Sequence, residues 1–282
     1  MPETVNIYDL LKSGEAFLKS KNLPDAKSDA QYLLAAALKI ERSRLVLIRE
    51  QKAGEKESSL FWEYILRRSK REPAAYITGF CGFMGLEFKV SKDVLIPRPE
   101  TELLVEDVLN MSKKNKTETV LDLCAGSGCI AVSLSKLGNF NKIYASDISF
   151  DALTLARENA DFNDAKNIEF LLSDMFKSLE NVKVDFIVSN PPYISEDEYN
   201  ALEPELKFEP ETALLAQDNG LFFYKEIALK ASRHLNDKGR IFVELNANLS
   251  QEIKKIFEEN NFKDIEINED YSHLPRVLKA HL

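Results

Sequence analysis

Asn190, Pro191, Pro192 and Tyr193 follow one another directly after an apolar run, Phe186-Ile187-Val188. An asparagine side-chain oxygen and the carbonyl oxygen of the next residue can each accept one hydrogen of an NH2 group. The two prolines fix their own φ angles and stiffen the loop, so both acceptors are pre-positioned. Tyr193 can lie against a planar group. Such a set suits a nitrogen whose lone pair is delocalised, as in an amide or an exocyclic amine. That nitrogen is a poor nucleophile. Alkylating it requires fixing it in line with the carbon it attacks and favouring the charge that builds on it. Neither a metal nor a strong general base is needed, because the alkylated nitrogen sheds its proton easily. Asn-Pro-Pro is also a common turn-former, so its place in the fold has to carry the argument.

A second stretch with chemical character is Asp122-Leu123-Cys124-Ala125-Gly126-Ser127-Gly128. Gly126 and Gly128 let the backbone turn sharply and approach a ligand closely. A helix that follows offers free N–H groups at its start. Two ligands compete for this loop. Ala131 completes a tolerable dinucleotide fingerprint, whereas an acidic Asp122 ahead of the loop suits the ammonium end of S-adenosylmethionine. Asp147 lies 19 positions beyond Gly128, where a carboxylate can accept from both ribose hydroxyls; it could equally cap the next helix. Asp174 could accept from an adenine amino group, with Met175 packed on the ring. Three successive strand ends then each supply a residue suited to one part of one ligand.

The elements that must hold these residues are visible as periodicity. Ile7, Leu10, Leu11, Phe17 and Leu18 recur at helical spacing. Further helices are expected from Pro24-Asp25 to Leu38, near Ser43, and from Ser58 to Arg71, making a small helical bundle over residues 1–72. Residues 73–97 form a linker, with a β-hairpin expected between Tyr76 and Val90 among Gly79, Gly82 and Gly85. Pro99-Glu100-Thr101-Glu102 opens a helix with acidic residues in its first turn. From there to residue 282 strands and helices alternate. Strands are expected at Thr119–Leu123, Lys142–Ala145, Ile168–Leu172, Val184–Ser189, Gly239–Leu245, Ile265–Ile267 and Val277–Ala280. Helices are expected at Cys129–Leu137, Phe150–Ala160, Leu221–Leu235 and Leu249–Glu259. This is an α/β pattern with a mostly parallel sheet covered on both faces. Ligands in such sheets sit at the carboxyl ends of the strands.

Bulk properties narrow the classes. The 282 residues suffice for two domains. No apolar run approaches the roughly 20 residues of a membrane span, and no signal peptide is evident at the N-terminus. Cys81, Cys124 and Cys129 lack metal-ligand spacing and suit small buried hydrophobes, which points to a reducing cytoplasm and no metal site. Residues 1–90 carry 15 basic and 12 acidic side chains, the remainder 22 and 34. An acidic catalytic region repels polyphosphate. Between Ser195 and Glu211, Glu196, Asp197, Glu198, Glu203, Glu205, Glu209 and Glu211 stand against Lys207 alone. Beside a catalytic site, such a loop repels a DNA backbone and attracts a basic peptide, unless it is simply a solvated surface.

Pro73-Ala74-Ala75-Tyr76-Ile77-Thr78-Gly79, Ile96-Pro97-Arg98-Pro99-Glu100-Thr101-Glu102 and Leu121 to Gly128 resemble the release-factor glutamine methyltransferase family (PrmC/HemK). So do Phe208-Glu209-Pro210, Ala213-Leu214 and Arg276-Val277, while Asn190 to Tyr193 resemble the signature of the broader set of methyltransferases that act on exocyclic amines of adenine or cytosine or on protein glutamine. The resemblance spans essentially the whole chain. It implies a Rossmann-like class I methyltransferase domain, with a seven-stranded sheet, over residues 98–282, and a substrate-recognition role for the helices. It implies transfer of a methyl group from S-adenosylmethionine to the glutamine amide of a release factor's Gly-Gly-Gln tripeptide, a step tied to translation termination. Cys124, Ala125, Gly126, Ser127, Gly128, Asp147, Asp174, Met175 and Asn190 would bind the cofactor. Asn190, Pro191, Pro192 and Tyr193 would hold the glutamine. A cytoplasmic monomer with no stable nucleic-acid partner is expected. Cys124, Met175 and Glu244-Leu245-Asn246 depart from the usual family pattern and bear on cofactor packing. Three rivals stand beside this reading. An adenine or cytosine methyltransferase should show a basic groove or a recognition insert. A ribosomal-protein glutamine methyltransferase would lack the segment at 98–102. An oxidoreductase or binding module would leave Asn-Pro-Pro-Tyr unexplained.

Overall fold

The computed structural model of the protein describes residues 5–112 and 118–282. It divides into two compact units, residues 1–80 with 203–208, and residues 81–202 with 209–282.

The first unit is helical: α1 (Ile7–Ser20), α2 (Ala26–Leu38), α3 (Glu55–Arg68) and the short α4 (Ala74–Thr78). The Asn6 side chain caps α1 by accepting from the Asp9 N–H at 2.7 Å. Leu18, Leu33, Leu34, Phe61 and Ile65 are fully enclosed. A methyl group at Gly14 would lie 2.4 Å from the Phe61 ring, so α1 and α3 can approach because position 14 carries no side chain. The helix expected near Ser43 is a single 3-10 turn, Arg42–Val46. Only Leu45 of that segment is buried, too little apolar surface to hold an α-helix. The helix expected from Ser58 begins at Glu55, with Glu55 and Glu57 in its first turn, and stops at Arg68. Arg68 is nearly enclosed and pairs with Asp29 at 2.7 Å and Glu205 at 3.0 Å.

The expected hairpin is shorter than its sequence signal. Ala74–Thr78 is helical, and Gly79, at φ 81°, terminates it in the left-handed region. The hairpin proper is β1 (Phe80–Phe83) with β2 (Leu86–Lys89). Met84 and Gly85, at φ 51° and 72°, make the tight turn between them.

The second unit continues with α5 (Pro99–Met111), β3 (Thr119–Leu123), α6 (Cys129–Leu137), β4 (Lys142–Asp147), α7 (Phe150–Phe162), β5 (Ile168–Leu172) and β6 (Val184–Ser189). It ends with α8 (Glu196–Asn200), α9 (Phe222–Lys230), β7 (Leu235–Glu244), α10 (Ser250–Glu259), β8 (Lys263–Glu269) and β9 (Pro275–His281). The seven-stranded sheet has the order β5-β4-β3-β6-β7-β9-β8. The first five strands are parallel and β9 runs antiparallel between β7 and β8. Alternation along the strands divides the core between two faces. Val120, Phe186 and Val188 pack in one cluster with Leu104 and Ile130. Leu121, Leu123 and Ile187 pack in the other with Ile227 and Phe257.

Two expected boundaries move. The helix expected to reach Leu235 ends at Lys230, followed by a 3-10 turn at Ala231–Arg233. Leu235 instead pairs with Val184, and the next register pair is Phe186 with Arg240, so residues 236–239 bulge out of the ladder. Helix α8 interrupts a segment expected to be loop, and Ser195 and Glu198 form its reciprocal capping box.

Candidate active site

Strand order fixes where a ligand can sit. After β3 the chain builds β4 and β5 on one side, then crosses to place β6 on the other, so strand order reverses between β3 and β6. The carboxyl ends of these two strands flank the crevice where doubly wound sheets take ligands. The glycine loop follows β3 and the Asn-Pro-Pro-Tyr loop follows β6. A cavity of about 370 Å³ opens there, lined by residues of the second unit alone.

On the β3 side the backbone does the shaping. Cys124, Gly126 and Gly128 all have positive φ, at 62°, 53° and 77°. A methyl group at Gly128 would lie 3.0 Å from the Ala156 Cβ of α7, so both the backbone angle and the close approach favour glycine there. Nothing lies within 4 Å of the corresponding position at Gly126. The Gly126 N–H donates to Asp147 Oδ2 at 2.8 Å and the Ser149 N–H donates to Asp147 Oδ1 at 2.9 Å. Asp147 therefore locks the loop while its remaining lone pairs stay available to a diol. Burial pushes its carboxyl above the usual range. It does not cap α7; Ser149 does, accepting from the Ala152 N–H at 3.1 Å. Asn159, wholly enclosed in α7, donates to the Ser127 carbonyl at 2.9 Å and so anchors the loop from below.

Cys124, Ala125, Gly126, Ser127, Asp147, Asp174, Met175 and Asn190 all line the cavity. Gly128 does not; its part is to let α6 begin against α7. Met175, at φ 51°, is nearly buried with its sulfur 3.9 Å from that of Cys124. Asp174 is half-exposed and pairs with Lys177 at 2.6 Å. The expected contact of Asp122 with an ammonium group is not built. Its side chain is fully enclosed, accepts from the Ala131 N–H at 3.1 Å and is absent from the cavity lining.

On the β6 side the shaping is by side chains. Asn190 and Pro192 line the cavity, whereas Pro191 and Tyr193 do not. The Asn190 Nδ2 donates to Thr101 Oγ1 at 3.1 Å. Thr101 donates to Glu244 Oε2 at 2.6 Å, and the Tyr193 hydroxyl donates to Glu244 Oε1 at 3.1 Å. Glu244 is buried, which pushes its carboxyl upward against the opposing pull of Arg276. Burial raises the Tyr193 phenol, which keeps it protonated. Gly220, at φ 90°, has the Tyr193 carbonyl 2.6 Å from where a methyl group would stand, so the Asn-Pro-Pro-Tyr loop rests on bare backbone.

Thr101, Glu244, Asn159 and Gly220 carry no local signature that singles them out. The segments at 98–102 and 244–246 mark Thr101 and Glu244 only by resemblance. Glu102, in the same segment, accepts from the Met84 N–H at 2.6 Å and serves the hairpin. Arg98 lines the cavity and pairs with Glu209, whose other oxygen accepts from the Ile96 N–H at 3.0 Å. Glu209 is nearly enclosed.

The acidic segment is less free than its composition suggests. Glu209 is paired with Arg98, Glu205 with Arg68 and Arg71, and Glu198 is bound in its capping box. Glu196, Asp197, Glu203 and Glu211 remain exposed. Among the described residues no cluster suits a metal ion.

A mostly apolar cavity with Asp147 and Asp174 in its lining, set against a backbone cradle, fits an adenosine-bearing cofactor. Comparison with known proteins agrees. Residues 9–79 match the PrmC N-terminal domain and residues 99–206 the methyltransferase small domain. A release factor glutamine methyltransferase of Clostridium acetobutylicum is 37% identical over 98% of this chain and 98% of its own. That of Lactococcus lactis is 43% identical over 84% of this chain and 87% of its own. Among solved structures, a methyltransferase from Pyrococcus furiosus superposes with a TM-score of 0.53 at 18% identity, over 70% of this chain and 89% of its own. A T. thermophilus 16S rRNA N2 G1207 methyltransferase in complex with AdoMet and guanosine gives 0.52 at 21%, over 72% and 49%. These two show the fold alone. With its helical and catalytic parts both matched and relatives aligned along nearly its full length, the chain belongs to the release factor glutamine methyltransferase family.

Proposed function

We propose that the protein methylates the side-chain amide of the glutamine in the Gly-Gly-Gln tripeptide of peptide chain release factors. The observation that carries this reading is Asn190, bonded to Thr101 at the switch point and lining the cavity there. When bound, S-adenosylmethionine supplies a methyl group activated by a sulfonium sulfur. Cys124 to Gly128 would hold it with Asp147 at the ribose and Asp174 and Met175 at the adenine. Asn190 Oδ1 and the Pro191 carbonyl would each accept one N–H of the glutamine amide, which aligns its nitrogen and steadies the developing positive charge. Pro192 stiffens this edge, and Tyr193 braces it through Glu244. The proton leaves to solvent once the new N–C bond has formed and the S–C bond has broken.

The helical unit would serve recognition of the release factor, with the exposed Glu196, Asp197, Glu203 and Glu211 favouring basic flanks of the tripeptide. No helix among the described residues is long and apolar enough to cross a membrane, and we take the site of action to be the cytoplasm, with a monomer acting on a protein substrate and not on nucleic acid. The test is parallel incubation of labelled S-adenosylmethionine with release factor, ribosomal protein and DNA. Label in the release factor is the expected result. Label in DNA or ribosomal protein alone overturns the proposal.

A further inference from the structure

We propose that Thr101 and Glu244 are positioning residues for the reaction: they form a one-way hydrogen-bond relay that forces Asn190 to present its carbonyl oxygen, and not its NH2, to the substrate amide. The inference rests on the reading of Asn190 as the substrate acceptor.

An asparagine amide is nearly symmetric in shape, and its two ends differ only in what they can bond. At this site the difference decides function. An Oδ1 facing the cavity accepts an N–H of the incoming amide. An Nδ2 facing it would set donor against donor and repel the group it must hold. Nothing in the Asn-Pro-Pro-Tyr sequence selects between these states. The selection comes from two residues far off in the chain.

A threonine hydroxyl has one proton. Thr101 spends it on Glu244 Oε2, 2.6 Å away. As a carboxylate, Glu244 can only accept, and its second oxygen takes the Tyr193 proton at 3.1 Å. The Thr101 oxygen is then left with lone pairs alone, directed to Asn190 at 3.1 Å. Only Nδ2 can satisfy it, so Oδ1 must turn away. Thr101 and Glu244 are 3% and 1% exposed, so the bond between them is shielded from water. The relay joins α5, the end of β6 and the end of β7. It also bonds both polar side chains of the Asn-Pro-Pro-Tyr loop to one carboxylate, Asn190 through Thr101 and Tyr193 directly.

The arrangement has a definite failure mode. Were Glu244 to carry a proton, it could donate to Thr101, which could then donate onward, and Asn190 would turn its oxygen inward. The charged and titratable groups that act on Glu244 are Arg276, Glu100, Tyr193 and Tyr224, of which Arg276 and the Tyr193 hydroxyl favour the carboxylate.

The test compares Thr101→Val, Thr101→Ser and Asn190→Ala on the full chain, with melting temperature as a check of folding. Thr101→Val keeps the shape and removes the relay. It is expected to lower kcat about tenfold or more, with the dissociation constant for S-adenosylmethionine nearly unchanged, and Thr101→Ser is expected to restore most of that loss. A second readout needs no turnover. In protein labelled with 15N-asparagine, the Asn190 side-chain NH2 resonance, assigned by its disappearance in Asn190→Ala, is expected to be protected from solvent exchange in the wild type and Thr101→Ser, and to lose protection in Thr101→Val. Unchanged kcat and protection in Thr101→Val overturn the relay. If Asn190→Ala itself turns over normally, the placing of the substrate at Asn190 fails, and the relay fails with it. Loss in Asn190→Ala with none in Thr101→Val defeats the relay alone.

Discussion

The ends of β3 and β6 flank one cavity and are built by opposite means. After β3 the chain makes a cradle from its own backbone: three positive φ angles, a glycine pressed against α7, and a carboxylate that takes two N–H groups. After β6 the geometry is set by side chains drawn from α5, the loop itself and the end of β7. The difference matches the ligands proposed for the two ends. A cofactor that is the same in every turnover can be met by fixed backbone. A single amide nitrogen has to be oriented to hydrogen-bond precision, and that needs groups with a defined donor and acceptor end.

The sharpest way to break this comparison is Asn190→Ala. It is expected to lower kcat by a factor on the order of 10² or more while cofactor affinity changes little, as for other lost transition-state contacts. Steady-state kinetics with a binding titration separate the two. The converse lesion is Asp147→Asn, which weakens the lock on the glycine loop and the proposed diol contact together. Cofactor affinity is expected to fall about tenfold, roughly 1.4 kcal/mol, with kcat at saturating cofactor nearly retained. Calorimetric titration reads the first and saturation kinetics the second.

Gly128→Ala tests the backbone alone. A side chain at φ 77° against Ala156 is expected to cost about 1–3 kcal/mol of stability, read by urea unfolding. The effect of pH is smaller still in wild-type protein near neutrality. Burial raises the Glu244 carboxyl, so as pH falls it gains its proton earlier than an exposed glutamate would. Because the proposed relay needs the ionised form, kcat is expected to drop on the acid side, starting above the ordinary carboxylate range, and the Glu244→Gln variant is expected to lack that limb. A pH–rate profile of both proteins checks it.

The same contrast explains what is legible in the sequence. Gly126 and Gly128 announce positive φ by residue type, and the alternation of strands with helices is enough to put Asp147 and Met175 at successive strand ends. Asn190 to Tyr193 are legible because the prolines and asparagine are contiguous. Thr101 and Glu244 are not, since a threonine in a first helical turn and a glutamate closing a strand are ordinary residues until the sheet brings them together. Asp122 misleads because an acidic residue before a glycine loop looks like a ligand contact, yet β3 points it into the protein, toward the Ala131 N–H. The acidic run at 195–211 misleads in part for a similar reason. Composition counts charges, but Glu198, Glu205 and Glu209 already have partners. Among the helices, the segment at Ser43 lacks the buried face that a helix needs, and the bulge at 236–239 is invisible to periodicity.

The central claim is that a glutamine amide is methylated at the end of β6. Its most direct test is tandem mass spectrometry of a release factor after incubation with S-adenosylmethionine and either wild-type protein or Asn190→Ala. The account predicts one methyl group on the glutamine of the Gly-Gly-Gln tripeptide with the wild type and almost none with the variant. A methyl group on another residue, or equal modification by the variant, would contradict it.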